Sequence, residues 1–197
     1  MKHTLTILLI AFLQTLGYSQ LLTWNFTGQP GTQNNQASAT NATGISPGNL
    51  SRAAGLTANA GSNSMNSSAW LESSGDIDDV AEQESETDYY EFTLPIQAGY
   101  TANITTVVTA FQSSGTGPDG VTLRWSVDGY ASDLGTLATG TGTLTATINQ
   151  TQGPNTTITF RLYGTRAATG GGTAGTGRIN SLVINGTTTA GPANDQC

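Results

Sequence analysis

Nine acids crowd into twenty residues of this 197-residue chain: Glu72, Asp76, Asp78, Asp79, Glu82, Glu84, Glu86, Asp88 and Glu91. Oxygen ligands at that density suit Ca2+, and Asp76-x-Asp78-Asp79 is the tightest group. The segment lacks the twelve-residue EF-hand spacing. A solvated acidic loop that keeps the protein soluble is the competing reading. Arg124 and Arg161 are the second candidates, with Tyr163 on the parity of Arg161. If their strands are neighbours, these side chains share one face, where guanidinium groups and a ring suit a glycan. Pairing of the two arginines with Asp128, Asp133 or Glu91 is the ordinary alternative. Trp70 stands outside any clear strand, beside the acidic segment. It is the candidate for exposed stacking, against packing under a loop. Trp24 and Trp125 fall on apolar positions and belong to the core.

The missing residue types exclude more than the present ones suggest. Lys2 and His3 open the chain, an apolar run follows from Leu5 to Leu16, and Gly17 and Ser19 precede Gln20. This is the three-part pattern of a secretory signal over residues 1–19. The run is too short to span a membrane comfortably. No integral membrane segment is expected in the remainder. Beyond residue 19 there is no His and no Lys, and the one Cys is Cys197. A Ser-His-Asp or Cys-His mechanism has no base there. A His or Cys zinc site has no ligands. Five arginines face thirteen acids after the signal, which argues against a nucleic-acid partner. The remaining catalytic route is a carboxylate pair, as in glycoside hydrolysis. Glu91 is the only acid well inside a predicted strand, so the chain reads as no enzyme.

The elements that must carry these side chains follow a period of two. Val121, Leu123, Trp125 and Val127 alternate with Thr122, Arg124 and Ser126. Ile158, Phe160 and Leu162 alternate with Thr157, Thr159 and Arg161, and Leu144, Ala146 and Ile148 with threonines. Such alternation makes strands with one buried and one solvated face. Leu22–Thr27, Ala54–Asn59, Tyr89–Leu94, Tyr100–Phe111 and Ile179–Asn185 are further predicted strands, rich in β-branched and aromatic residues. Glycine-rich turns separate them. Residues 28–48 read as a long polar loop with at most an edge strand, and Ile77–Glu86 as a loop or short helical turn. The fold class is all-β: an antiparallel β-sandwich or jelly roll, a single domain over residues 20–188. Residues 189–197 read as a linker or the start of a cut following module.

Eight Asn-x-Ser/Thr triplets begin at Asn25, Asn41, Asn49, Asn66, Asn103, Asn149, Asn155 and Asn185. In a chain this rich in Asn, Ser and Thr, several such acceptor triplets arise by chance.

Ser114-Gly115-Thr116-Gly117-Pro118, then LRWSVDGYASDLGT (123–136), TFRLYGT (159–165) and TGRINSLVINGT (176–187) occur in that order. The order resembles a secreted β-sandwich module of bacterial surface or exported proteins that carry PEP-CTERM or type IX secretion sorting tails. The resemblance covers roughly residues 22–188 and implies a part of a longer chain. It implies no catalytic residues. The reading is a non-catalytic secreted or cell-surface structural or interaction module. Its alternative is a carbohydrate-binding module with structural Ca2+, its partner a glycan or another cell-surface molecule. A carboxylate-based glycoside hydrolase is the third reading.

Overall fold

A computed structural model describes residues 19–70, 87–165 and 175–192. In chain order the strands are β1 (Gln20–Trp24), β2 (Pro30–Gly31), β3 (Asn35–Ala37), β4 (Thr40–Asn41), β5 (Asn49–Arg52), β6 (Thr57–Asn59), β7 (Ser64–Ser68), β8 (Tyr89–Pro95), β9 (Tyr100–Ser113), β10 (Gly120–Trp125), β11 (Gly135–Leu137), β12 (Thr141–Gln152), β13 (Thr157–Thr165) and β14 (Gly177–Ala190). They form the two sheets of a β-sandwich. The first sheet runs β12-β9-β14-β1-β4, and β7 pairs with the start of β14 and carries β2 and β6. The second runs β11-β10-β13-β8-β5-β3. The pairs are antiparallel except β2 with β7.

Alternation sets the core as the sequence predicts. Tyr90, Phe92 and Leu94 of β8 and Ile158, Phe160 and Leu162 of β13 turn inward. From the other sheet Leu22, Val107, Phe111, Leu144, Leu182 and Ile184 meet them. Phe92 stacks on Phe160 at 5.1 Å between ring centroids, and Trp24 meets Phe92 edge-on at 5.9 Å. Such ring pairs add about 0.5–1.5 kcal/mol beyond the area they bury.

Four local readings are corrected. Residues 28–48 hold β2, β3 and β4, whose backbones pair with β7, β5 and β1, and Gln33 Nε2 between β2 and β3 donates to Ser64 O at 2.8 Å. The strand over 121–127 stops at Trp125. Ser126–Asp128 makes one 3-10 turn, capped by Gly129 at φ +71°, and Val127 is left 45% exposed. Of 54–59 only the last three residues are strand. The expected tail is strand as far as Ala190. The strands β5, β7 and β11 carry no apolar alternation and escape the sequence reading. Residues 1–18 of the expected signal over 1–19, and the 77–86 segment, lie outside the described residues.

The β7 strand binds the two sheets with polar groups. Ser64, Asn66 and Ser67 are buried there. The Tyr90 hydroxyl, from the opposite sheet, meets Ser67 Oγ at 2.8 Å and donates toward Met65 O at 3.0 Å. Burial pushes the Tyr90 hydroxyl pKa well above its ordinary value of about 10. The neutral form is favoured only in the folded state, so this contribution is complete below about pH 10 and lost as pH rises further. Melting temperature followed from pH 8.5 to 11.5 should fall more steeply for the native chain than for Tyr90→Phe. Parallel slopes would refute the assignment.

Candidate functional site

The outer face of the second sheet brings together Arg124, Arg161, Glu91 and, from the following loop, Asp133. Arg124 of β10 lies directly opposite Arg161 of β13, and Arg161 opposite Glu91 of β8. One row above, Thr122, Tyr163 and Tyr89 align in the same way. Antiparallel partners share a face, so the predicted Arg–Arg–Tyr face exists. It is largely closed. Arg124 is fully buried and Tyr163 is 1% exposed.

The cover comes from the chain that follows β10. After the 3-10 turn, Gly129 and Tyr130 both take left-handed backbone, at φ +71° and +66°. Glycine enters that region freely, whereas for a tyrosine it is uncommon. The turn folds residues 126–134 back over the sheet, and Leu134 N returns to Leu123 O at 2.8 Å. Every residue of β10 is buried. Arg124 Nε donates to Asp133 Oδ1 at 2.8 Å, and its Nη1 to Tyr130 O at 3.3 Å. The Tyr130 ring is carried to 4.1 Å from Arg161 Cζ, and the Tyr89 ring lies at 4.3 Å. A cation over ring faces at these distances gains about 0.5–2 kcal/mol.

Arg161 Nε donates to Glu91 Oε2 at 3.0 Å. Burial alone would push the Arg161 guanidinium down. The Tyr163 hydroxyl and Glu91 carboxylate outweigh it and hold the group above ordinary arginine. Burial raises Tyr163 and Tyr130, against the lowering influence of Arg161. The Tyr163 hydroxyl feels that charge without forming a well-directed hydrogen bond.

Trp70 is not an exposed stacking residue. It is 2% exposed and sits between the sheets, edge-on to Tyr90 at 4.9 Å and Phe111 at 5.6 Å. Its Nε1 donates to Ser67 O at 2.8 Å. The space for the indole is made by Gly164 and Gly177. A Cβ at 177 would come within 2.9 Å of the indole nitrogen, and one at 164 within 3.0 Å of the ring. Thus Trp70 does not join Arg124, Arg161 and Tyr163 in one patch. Tyr89, Tyr130 and Glu91 take its place beside Arg161. Tyr89 shares the parity of Glu91 within β8, a signal the sequence does carry. Tyr130 in a turn gives none.

The calcium candidates Asp76, Asp78 and Asp79 lie outside the described residues. Among the described residues no three His, Cys, Asp or Glu side chains gather to hold a metal ion. Nor is any described helix long and apolar enough to cross a membrane.

No protein-family model matches the chain, and no curated protein sequence does. Two solved structures are similar in part. One is an aminopeptidase from a marine sediment archaeon, Thaumarchaeota archaeon, at 12% identity and TM-score 0.35; the match covers 58% of this chain and 28% of that one. The other is the CBM35 from Cellvibrio japonicus Abf62, at 18% identity and TM-score 0.29, covering 64% and 93%. Likeness at this level carries no functional argument.

Two outcomes follow for stability. Asp133→Asn leaves the buried Arg124 without this counter-charge. The half-exposed position of Asp133 (42%) sets the loss at about 1–2 kcal/mol, between the surface and buried limits. Glu91→Gln, at the more open pair, should cost less than about 1 kcal/mol. Equal losses in urea titration would contradict the ranking. Trp70→Ala should cost about 3–5 kcal/mol, as a large core deletion does; a loss under 1 kcal/mol would show an indole outside the core.

Proposed function

We propose that this chain is a non-catalytic, exported module that serves a secreted or cell-surface protein as a structural or interaction unit. The observation that carries the reading is how the chemistry-bearing side chains are used. Arg161 is tied to Glu91 and flanked by two tyrosine rings, and Arg124 is buried against Asp133. A general acid or nucleophile needs a carboxylate poised on a substrate. Glu91, the acid that a glycosidase would require, is engaged with a guanidinium. Among the described residues, the open face of β12 is polar and uncharged. The outward residues of β12 include Thr141, Thr143, Thr145 and Thr147, all exposed. The export pattern at the N-terminus and the resemblance of residues 22–188 to modules of exported bacterial proteins support the compartment.

A second reading, carbohydrate binding, draws on one specific feature. The Arg161 and Glu91 side chains remain 22% and 30% exposed, with Tyr89 and Tyr130 half-buried beside them. This brings charged hydrogen-bonding groups and aromatic carbon to one open spot.

An epitope-tagged full chain expressed in a bacterial host with a general export pathway tests the first reading. The tag should be removed by protease from intact cells or be found outside the cytoplasm. The purified protein should release no more sugar from a polysaccharide panel than its Glu91→Ala variant. Cytoplasmic retention would overturn export, and Glu91-dependent turnover would overturn the non-catalytic assignment.

A further inference from the structure

We propose that the open edge of the Arg161–Glu91 pair recognises a vicinal diol of a neutral sugar. The inference rests on the carbohydrate-binding reading and names the ligand class for it. Arg161 engages Glu91 through Nε alone, on one carboxylate oxygen. The guanidinium also interacts with the Tyr163 hydroxyl, and Oε2 is the Glu91 oxygen that the Nε bond occupies. The pair therefore presents N–H donors and a carboxylate acceptor side by side, both partly open to water. Two adjacent sugar hydroxyls match that arrangement. One accepts from an Nη group and the other donates to Oε1, and both hydrogen bonds are charge-assisted. The Tyr89 and Tyr130 rings occupy the guanidinium faces at 4.3 and 4.1 Å. This leaves the in-plane edge for the ligand and fixes its direction. It also places ring carbon where the C–H face of a pyranose can rest.

Charge selects the neutral class. Arg124 and Arg161 are balanced by Asp133 and Glu91, so the spot itself has no net charge. The chain as a whole carries −7. An anionic polymer approaches against that field, whereas a neutral glycan meets no such opposition. Tyr130 belongs to the site through its strained backbone. A tyrosine held at φ +66° is strained, and such strain concentrates where a fixed side-chain position matters.

Affinity electrophoresis of the full chain in gels holding xylan, mannan or laminarin, and separately polygalacturonate or dextran sulfate, decides the matter. Retardation is expected in at least one neutral gel and should change little between 10 and 150 mM salt. Arg161→Lys keeps the charge but loses the fork, and Glu91→Gln loses the charged acceptor. Each should weaken retardation roughly tenfold or more, the equivalent of one charge-assisted hydrogen bond. If a variant does not fold, arginine-selective 15N spectra of the unmodified chain take its place. The bound neutral polysaccharide should then shift the Arg161 side-chain resonance and leave that of Arg178 unmoved. Retention by acidic gels alone, or neutral binding indifferent to both variants and to Arg161, would overturn this proposal and leave glycan binding standing. Retention by none of the gels would overturn both.

Discussion

The sandwich depends on a polar seam between its sheets. Apolar packing alone would let two sheets slide, because dispersion and burial have little direction. At one end the Tyr90 hydroxyl meets Ser67 Oγ and approaches the backbone oxygens of Met65 and Gly177. The Arg52 guanidinium, also from the second sheet, donates to Ser67 Oγ at 2.6 Å, Asn66 O at 3.0 Å and Gly31 O at 3.1 Å. These bonds converge on β7 and its parallel neighbour β2. They fix one relative position of the sheets, since any other would leave buried donors and acceptors unpaired, at about 1–3 kcal/mol each. β6 is paired to β7, and the Trp70 indole is anchored on Ser67 O.

The outer face of the second sheet is built on that frame by a different means. A tight left-handed turn at Gly129 and Tyr130 reverses the chain and brings Tyr130 and Asp133 onto Arg124 and Arg161. Burying a guanidinium there is tolerable because Arg124 finds a carboxylate and a carbonyl oxygen within reach. The same reversal brings a second ring to Arg161. Core and face thus rest on local devices of different kind: hydrogen bonds to neutral acceptors inside, paired charges outside.

How far this was legible depends on which force each residue answers. Leu123, Trp125, Phe160 and Leu162 answer to burial, and their alternation predicts strand, face and core. Trp24 and Trp125 fall where that pattern puts them. The opposition of Arg124 and Arg161 follows from parity once β10 and β13 are neighbours, and Asp133 and Glu91 are two of the three acids that the sequence offers them as partners. Ser64, Asn66 and Ser67 are illegible because composition marks them as loop. Only hydrogen bonds to residues distant in sequence make their burial favourable. Trp70 misleads for the same reason, since its pocket is made by two glycines more than ninety residues further on. Tyr130 is hidden in a turn, where nothing local announces an aromatic contact.

The placement of the arginines also bears on durability outside a cell. Arg52, Arg124, Arg161 and Arg178 are the basic residues in the described segments, and each lies within a strand. Three are pinned by hydrogen bonds between strands or to the covering layer, and Arg178 is held by Gln112. A trypsin-like protease needs about an extended turn's length of free backbone on both sides of a basic residue. In these strands that backbone is released only when a sheet comes apart. At these four positions resistance to digestion is therefore a property of the whole sandwich, lost only when the fold itself is lost.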